Sequence, residues 1–393
     1  MAQAVDVAQT QVTTSKKSYL FISTGFALFS MFFGSGNLVF PISVGKESEG
    51  HFLMAALGIL LTGVVVPFLG VFGMMLFKGD LQSFFSMFGK RGIFLFSFLS
   101  LALMGPFGVL ARCLTVAHGA LNLIIPDVPL VYASLGLCTL IYFFAANKSK
   151  IVSILGTYLT PFLLLSIATI AFFGLQQGEA STVSSGSVWH AFSNGFLQGY
   201  QTMDLLAAFF FSAFVISHLQ DSFSEERGSF LKTFAKSALV GGSLLSLVYV
   251  GLVLLGFVYK GALDQVPPQE MLGKIAQMAL GSFAAPCVAM AVVLACVTTA
   301  IILASLFSDF LRKEVANDKL NPKLSLLITV AIGFFVSTLE FAGIAKFLGP
   351  ILELSYPALI VLTLMNIANK LWNVKVSHWP VTATVVGKIL LGF

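Results

Sequence analysis

The stretch Phe26-Ala-Leu-Phe-Ser30-Met-Phe-Phe33-Gly34-Ser35-Gly36-Asn37-Leu-Val-Phe40-Pro41 constrains this chain more than any other. Its apolar flanks are long enough to cross a bilayer, yet two glycines, a serine and an asparagine interrupt it near mid-depth. Lipid offers no hydrogen bonds to a freed N–H or C=O, so irregular backbone at that depth must be buried in protein or line a cavity. Such a break presents the positive N-terminus of one half-helix and the carbonyls of the other. The first suits a carboxylate and the second a small cation. The competing reading is that Gly34 and Gly36 merely allow close helix packing.

The rest of the chain favours the broken helix. Of 393 residues, 57% are hydrophobic and only 10% charged, which excludes a soluble domain and predicts repeated spans of about 20 residues. The net charge of +5 does not point to nucleic acid, because the basic residues are distributed among the loops. Cys113, Cys138, Cys287 and Cys296 lie in apolar segments without metal-ligand spacing, and read as small core residues. The first apolar run is too long for a signal-peptide core, so it is expected to remain as a span.

Eleven spans are predicted at 18–44, 52–77, 92–125, 128–146, 150–174, 190–219, 234–259, 282–311, 323–339, 345–369 and 376–393, after a disordered cytoplasmic tail at 1–17. With the N-terminus inside, 16 Lys and Arg fall on cytoplasmic segments and 5 on outer ones. That asymmetry supports the orientation and the segmentation together. Pro106, Pro161, Pro286, Pro350 and Pro357 are predicted kink positions. The polar stretches near 176–189 and 260–274 are expected outside, as short helices or a lid.

Spans 1 and 6 both carry polar, glycine-containing interruptions, the second being Gly199-Tyr200-Gln201-Thr202-Met203-Asp204. Five spans separate them, so the two halves are inverted relative to each other. Broken helices at corresponding positions of inverted halves point to a transporter binding site. Asp204 is an intramembrane acid, an expensive residue to bury. It is a candidate to face an ammonium group, coordinate a cation or carry a proton; otherwise it pairs with Arg112 or is protonated and bonded to backbone. Thr298 and Thr299 of span 8 are candidate oxygen ligands, against the alternative that each bonds its own helix backbone. Arg112 is a candidate partner of Asp204 or Glu353, or a lining of the pathway. Glu353 is a candidate for gating or proton binding, and His118 reads as a satisfied interior histidine.

The quoted span 1 segment resembles the signature of the bacterial branched-chain amino acid:cation symporter family. Gly195-Phe-Leu-Gln-Gly-Tyr-Gln-Thr-Met-Asp204 resembles that family's second signature, and the span pattern is similar from about residue 18 to the end. The resemblance implies an all-α polytopic membrane protein with a five-plus-five inverted-repeat, leucine-transporter-like core. The repeats would be 18–174 and 190–369, with an additional C-terminal span at 376–393. It implies that the backbone of Gly34, Ser35, Gly36 and Asn37 meets a substrate carboxylate, and that Tyr200, Gln201, Thr202, Met203 and Asp204 meet the amino group and side chain. A sodium site would use carbonyls of Ser30, Phe33 and Ala295 with hydroxyls of Thr298 and Thr299. The chain departs from the family pattern in Ala111, where a proline is usual before the arginine, in Gly119, near the place of an acid, and in having eleven spans where twelve are typical.

The expected function is therefore import of a branched-chain or similar bulky apolar amino acid (Leu, Ile, Val or Met) by Na+ symport, with Phe32, Phe33 and Met203 as pocket walls. Proton coupling through Asp204 or Glu353 is the alternative. The expected setting is the bacterial cytoplasmic membrane, with the lipid bilayer and the amino acid as partners and a monomer sufficient. A membrane-embedded enzyme is disfavoured because His51, His118, His190, His218 and His378 are scattered and no His-Glu-x-x-His run exists. An ion channel is disfavoured because no ring-forming filter motif is present.

Overall fold

The computed structural model describes residues 21–146, 151–178, 186–222, 227–374 and 378–390; the tail expected at 1–17, and with it Lys16, Lys17, Lys148, Lys150 and Lys375, lies outside them. Among the described residues every regular element is helical. Span 1 is two helices, α1 (Phe21–Phe32) and α2 (Ser35–Lys46), bent by 74° at the Phe33-Gly34 break. Span 2 is α3 (Phe52–Leu76), with a π-helical turn at Leu61–Val65.

Span 3 differs from expectation. In place of one kinked helix, α4 (Gly89–Met104) and α5 (Val109–Leu121) are separated at Gly105-Pro106-Phe107-Gly108. Pro106 cannot donate to the helix ladder, and both glycines take non-helical dihedrals. The chain then restarts with the Arg112 amide bonded to the Gly108 carbonyl at 2.9 Å.

Spans 4 and 5 are α6 (Leu130–Ala146) and α7 (Ile151–Gln177). The sixth is again a pair, α8 (Val188–Gln201) and α9 (Asp204–Ser222). Beyond it run α10 (Arg227–Val258), α11 (Met271–Phe310), α12 (Pro322–Ser337), α13 (Glu340–Trp372) and α14 (His378–Leu390). The stretch 260–274 folds into short helical turns, Lys260–Leu263 and Pro268–Glu270, leading into the start of α11. Gly281, at φ +74°, kinks α11. Pro161, Pro286, Pro350 and Pro357 lie inside helices.

Two packing groups emerge. Spans 1, 2, 6 and 7 pack on one another, chiefly α2 on α10, and α8 and α9 on α3. Spans 3, 4, 8 and 9 form the second group, led by α5 on α11 and α6 on α12. The breaks of spans 1 and 6 sit inside the first group, where α2 meets α5 and α11 of the second. Large apolar side chains such as Leu247 (72% exposed) and Phe335 (68%) cover the outside, as hydrocarbon solvent requires.

Cys113, Cys138 and Cys296 are buried as expected, whereas Cys287 is exposed. The His118 ring meets the Val128 carbonyl at 2.6 Å, which satisfies it.

Candidate functional site

The first break is built by Gly34 and Asn37 together. Gly34 takes extended backbone at the N-cap of α2, and its N–H donates to the Asn37 side-chain oxygen at 3.1 Å. A residue in the first turn thus reaches back to cap the chain, one half of a capping box. Gly36 permits contact with the other break: a Cβ there would lie 3.5 Å from Thr202 Cα and 3.3 Å from the Phe40 ring.

The second break turns on Met203, a non-glycine residue at φ +62°. The Thr202 hydroxyl donates to the Gly199 carbonyl at 2.9 Å and the Met203 amide to the Tyr200 carbonyl at 3.1 Å, so both of these carbonyls at the end of α8 are satisfied. Asp204 then opens α9, where a carboxylate is favoured by the helix N-terminus.

One side chain joins the two breaks. Asn37 Nδ2 donates to Asp204 Oδ2 at 2.7 Å and lies 2.6 Å from the Tyr249 hydroxyl, which itself donates to Asp204 Oδ2 at 3.2 Å. Asn37 is 2% exposed, Asp204 3% and Tyr249 0%. The carboxyl group is buried among neutral hydrogen-bond partners at the meeting point of spans 1, 6 and 7.

The α3 π-turn supports this junction. The Thr62 hydroxyl donates to the Phe196 carbonyl of α8 at 2.7 Å. A Cβ at Gly199 would come within 2.0 Å of that hydroxyl, and one at Gly63 within 2.9 Å of the Tyr249 ring. A π-turn where helices must approach this closely is a recurrent feature of functional sites.

Arg112 is not the partner of Asp204 or Glu353. Its guanidinium donates to the Gln201 backbone carbonyl and side-chain oxygen, both at 2.6 Å, and stands 5.0 Å from the Phe40 ring centroid and 5.5 Å from that of Phe341. Gln201 in turn donates to the Ala345 carbonyl of α13 at 3.2 Å. The physical reason is placement: the α4–α5 break sets Arg112 against the carbonyl end of α8, where a cation is favoured. Glu353 sits one helical turn before Tyr356, whose ring lies 4.8 Å from that of Tyr200, and it is not among the hydrogen-bond partners of the Asn37–Asp204–Tyr249 cluster.

On the other flank, Thr299 abuts the first break; a Cβ at Gly34 would lie 3.8 Å from its methyl group. The Thr298 hydroxyl donates to the Ala295 carbonyl at 3.0 Å, leaving its lone pairs open. Ser30 is exposed, and Gly34, Ala295 and Thr299 are partly so. Phe33 stacks on Phe29 at 4.9 Å and Phe32 packs on Phe68 at 5.2 Å; Met203 is buried. Ser35 accepts from the Cys113 thiol at 3.5 Å.

Tyr249, Thr62 and Tyr356 escape the sequence reading. Thr62 is the one hydroxyl of its span and would be read as bonding its own helix, while Tyr249 and Tyr356 are two among several hydroxyl residues of theirs and nothing in the pattern sets them apart. The signal that could have found Tyr249 is its position in the span that follows the second break.

Comparison with known proteins gives the family and the fold. The family model described as branched-chain amino acid transport protein matches residues 16–392. Two relatives from Staphylococcus aureus, named as branched-chain amino acid carrier proteins, are each 28% identical over 370 residues, covering 88% of this chain and 81% of theirs. Among solved structures, the inward-facing conformation of Mhp1 is similar with a TM-score of 0.57 at 12% identity, covering 89% of this chain and 77% of that one. A manganese transporter of Eremococcus coleocola gives 0.53 at 15% identity (94% and 84%). A Na+-coupled sialic acid symporter in a substrate-bound outward-open state gives 0.53 at 11% identity (88% and 78%). The fold is thus the all-helical, leucine-transporter-like one, in a transporter and not an enzyme, and the chain belongs to the branched-chain amino acid transport protein family.

Proposed function

We propose that this protein imports a branched-chain or similarly bulky apolar amino acid by sodium symport, through alternating access around the two breaks. The observation that carries the reading is the direct bond between them, Asn37 to Asp204 at 2.7 Å, in a chain of a branched-chain amino acid transport family. The substrate carboxylate would meet the free amides of Ser35 and Gly36 in the first turn of α2, because the Gly34 amide is already held by Asn37. Asp204, with Tyr200, Gln201, Thr202 and Met203 around it, would take the ammonium group. Phe32, Phe33 and Met203 would wall the side chain. An apolar pocket separates neighbouring aliphatic side chains by only about 1–3 kcal/mol per methylene, so overlapping specificity for Leu, Ile, Val and Met follows.

Sodium is favoured by the oxygen-rich flank of the first break. The Ser30, Phe33 and Ala295 carbonyls and the Thr298 and Thr299 hydroxyls are of the type a hard monovalent cation prefers. Thr299 beside Gly34 supports this set. Such an ion would share the break with the substrate, which couples the two binding events.

We place the N-terminus in the cytoplasm of a bacterial inner membrane on the 16-to-5 distribution of basic residues. All the residues proposed for the site come from one chain, which supports a monomer as sufficient for transport.

The test is uptake of labelled leucine into proteoliposomes. A sodium gradient should drive accumulation, and unlabelled isoleucine and valine should compete. Uptake indifferent to both sodium and pH gradients would end the symport reading. A second reading, proton coupling, draws on the buried Asp204. It predicts accumulation driven by outside acidification in sodium-free buffer.

A further inference from the structure

Arg112 is the most fully buried charged side chain of the first six spans, at 1% exposure, and it enters no ion pair among the described residues. A guanidinium keeps its charge under all ordinary conditions and offers five N–H donors in a rigid fork. Here its protein partners are neutral. They are two oxygens of one glutamine and the faces of two phenyl rings. Its Nε has no hydrogen-bond partner among the described residues. A buried ion left without a counter-charge is costly, and this one is not spread over an acid network elsewhere in the bundle.

The surroundings indicate where the missing charge belongs. Residue 113 touches Ser35, and Phe40, which stacks on Arg112, covers Gly36. Helix α5 therefore stands beside the first turn of α2, with the Phe40 ring touched by the guanidinium and by Gly36. A second unsatisfied group lies close by: the Tyr356 hydroxyl, fully buried, has no hydrogen-bond partner. Its ring lies 4.8 Å from that of Tyr200, at the end of α8 beside the second break. A buried cation on α5, a buried carboxyl group at the start of α9 and an unpartnered hydroxyl on α13 match the polar groups of an amino acid, whose carboxylate and ammonium groups are joined through a single carbon.

We infer that Arg112 is the side-chain partner of the substrate's carboxylate, held ready by Gln201 between Phe40 and Phe341. The inference rests on the transport reading above and deepens it. The α2 amides fix the position of the carboxylate, while Arg112 supplies the opposite charge and planar recognition. Gln201 ties the same guanidinium to α13 through the Ala345 carbonyl, so drawing Arg112 onto a substrate loosens the link between α5, α8 and α13. Substrate binding and rearrangement of that side of the protein are then one event.

The experiment is equilibrium binding of leucine and leucinamide to purified protein in sodium buffer, for wild type, Arg112→Gln and Arg112→Lys. Leucinamide keeps the ammonium and side chain and lacks the carboxylate. In Arg112→Gln, leucine affinity should fall about 10- to 100-fold, leucinamide affinity should hold within about threefold, and discrimination between the two should collapse. Arg112→Lys, which keeps the charge without the fork, should be intermediate. If Arg112→Gln fails to fold, as judged by size-exclusion chromatography, the leucine-to-leucinamide ratio of Arg112→Lys carries the test. Unchanged leucine affinity, or parallel loss of both ligands, would overturn the inference and leave transport standing. A wild-type protein that binds no apolar amino acid would instead overturn the transport reading.

Discussion

Asn37 and Asp204, 167 positions apart in sequence, are joined by a buried hydrogen bond of 2.7 Å that ties the break of span 1 to the break of span 6. Asn37 is committed at both ends, since its oxygen accepts the Gly34 amide while its nitrogen serves the carboxylate. Replacing it by leucine removes both functions at similar volume. Hydrogen bonds to charged groups are each worth about 1.5–3 kcal/mol. Asn37→Leu should therefore lower the thermal midpoint of the purified protein and abolish leucine binding. Asn37→Asp should fare no better, because it sets two buried carboxylates against each other. Preserved binding in either variant would show that the junction is incidental.

The position of α8 depends on its glycine contacts with α3. A Cβ at Gly195 would stand 2.1 Å from the Ala55 carbonyl, and one at Gly58 would stand 2.2 Å from the Phe192 carbonyl. Small residues at these crossings let two backbones approach. Gly195→Ala should force the helices apart and cost about 1–3 kcal/mol, the range typical of overpacking. It should also disturb the second break, lowering uptake even in protein that survives purification. Gly136→Ala, on α6 with nothing within 4 Å of the added carbon, is the matched control and should be silent in both measurements.

How far the sequence discloses this site depends on what each residue is asked to do. The break at Gly34 and the burial of Asp204 are legible because polar and glycine residues inside an apolar run conflict with the run's own demands. The link between them is not, since Asn37 looks like one more breaker until span 7 supplies Tyr249 and the two half-helices converge. Arg112 shows the same limit. Its charge marks it as special, but its partner is a backbone carbonyl at the end of α8, and no residue type announces a carbonyl. The α4–α5 break was legible only in part. Pro106 signals a kink, while the full separation also requires Gly105 and Gly108 to leave helical dihedrals together. The π-turn at Thr62 carries no sequence signature, because its residues suit an ordinary helix equally well.

Met203 holds the second break open at φ +62°, a region that costs most side chains about 1–2 kcal/mol and β-branched ones more. Its side chain is also buried. Met203→Leu and Met203→Ile change volume equally little and differ in branching at Cβ. Leucine should be tolerated with stability within about 1.5 kcal/mol of wild type. Isoleucine should be measurably less stable and should weaken leucine binding, because it pushes the chain back toward helix. Equal stability of the two variants would show that the left-handed turn relaxes without consequence.

Thr298 and Asp204 separate the two coupling schemes. Under sodium coupling, the Thr298 hydroxyl is one of five oxygens around the ion, and its loss leaves four. Thr298→Ala should then raise the sodium concentration needed for half-maximal leucine uptake by about tenfold or more, with uptake partly restored at high sodium. The bond from the hydroxyl to the Ala295 carbonyl is additional to the helix's own ladder, so the variant should fold normally. Under proton coupling the same substitution should change neither the ion dependence nor the rate. In that case Asp204→Asn, which cannot release a proton, should block accumulation while leaving leucine exchange across the membrane intact. Measuring net uptake and exchange for both variants, in sodium and in sodium-free buffer with an imposed pH gradient, assigns the ion. A sodium dependence unchanged in Thr298→Ala would remove the proposed ligand set at the first break.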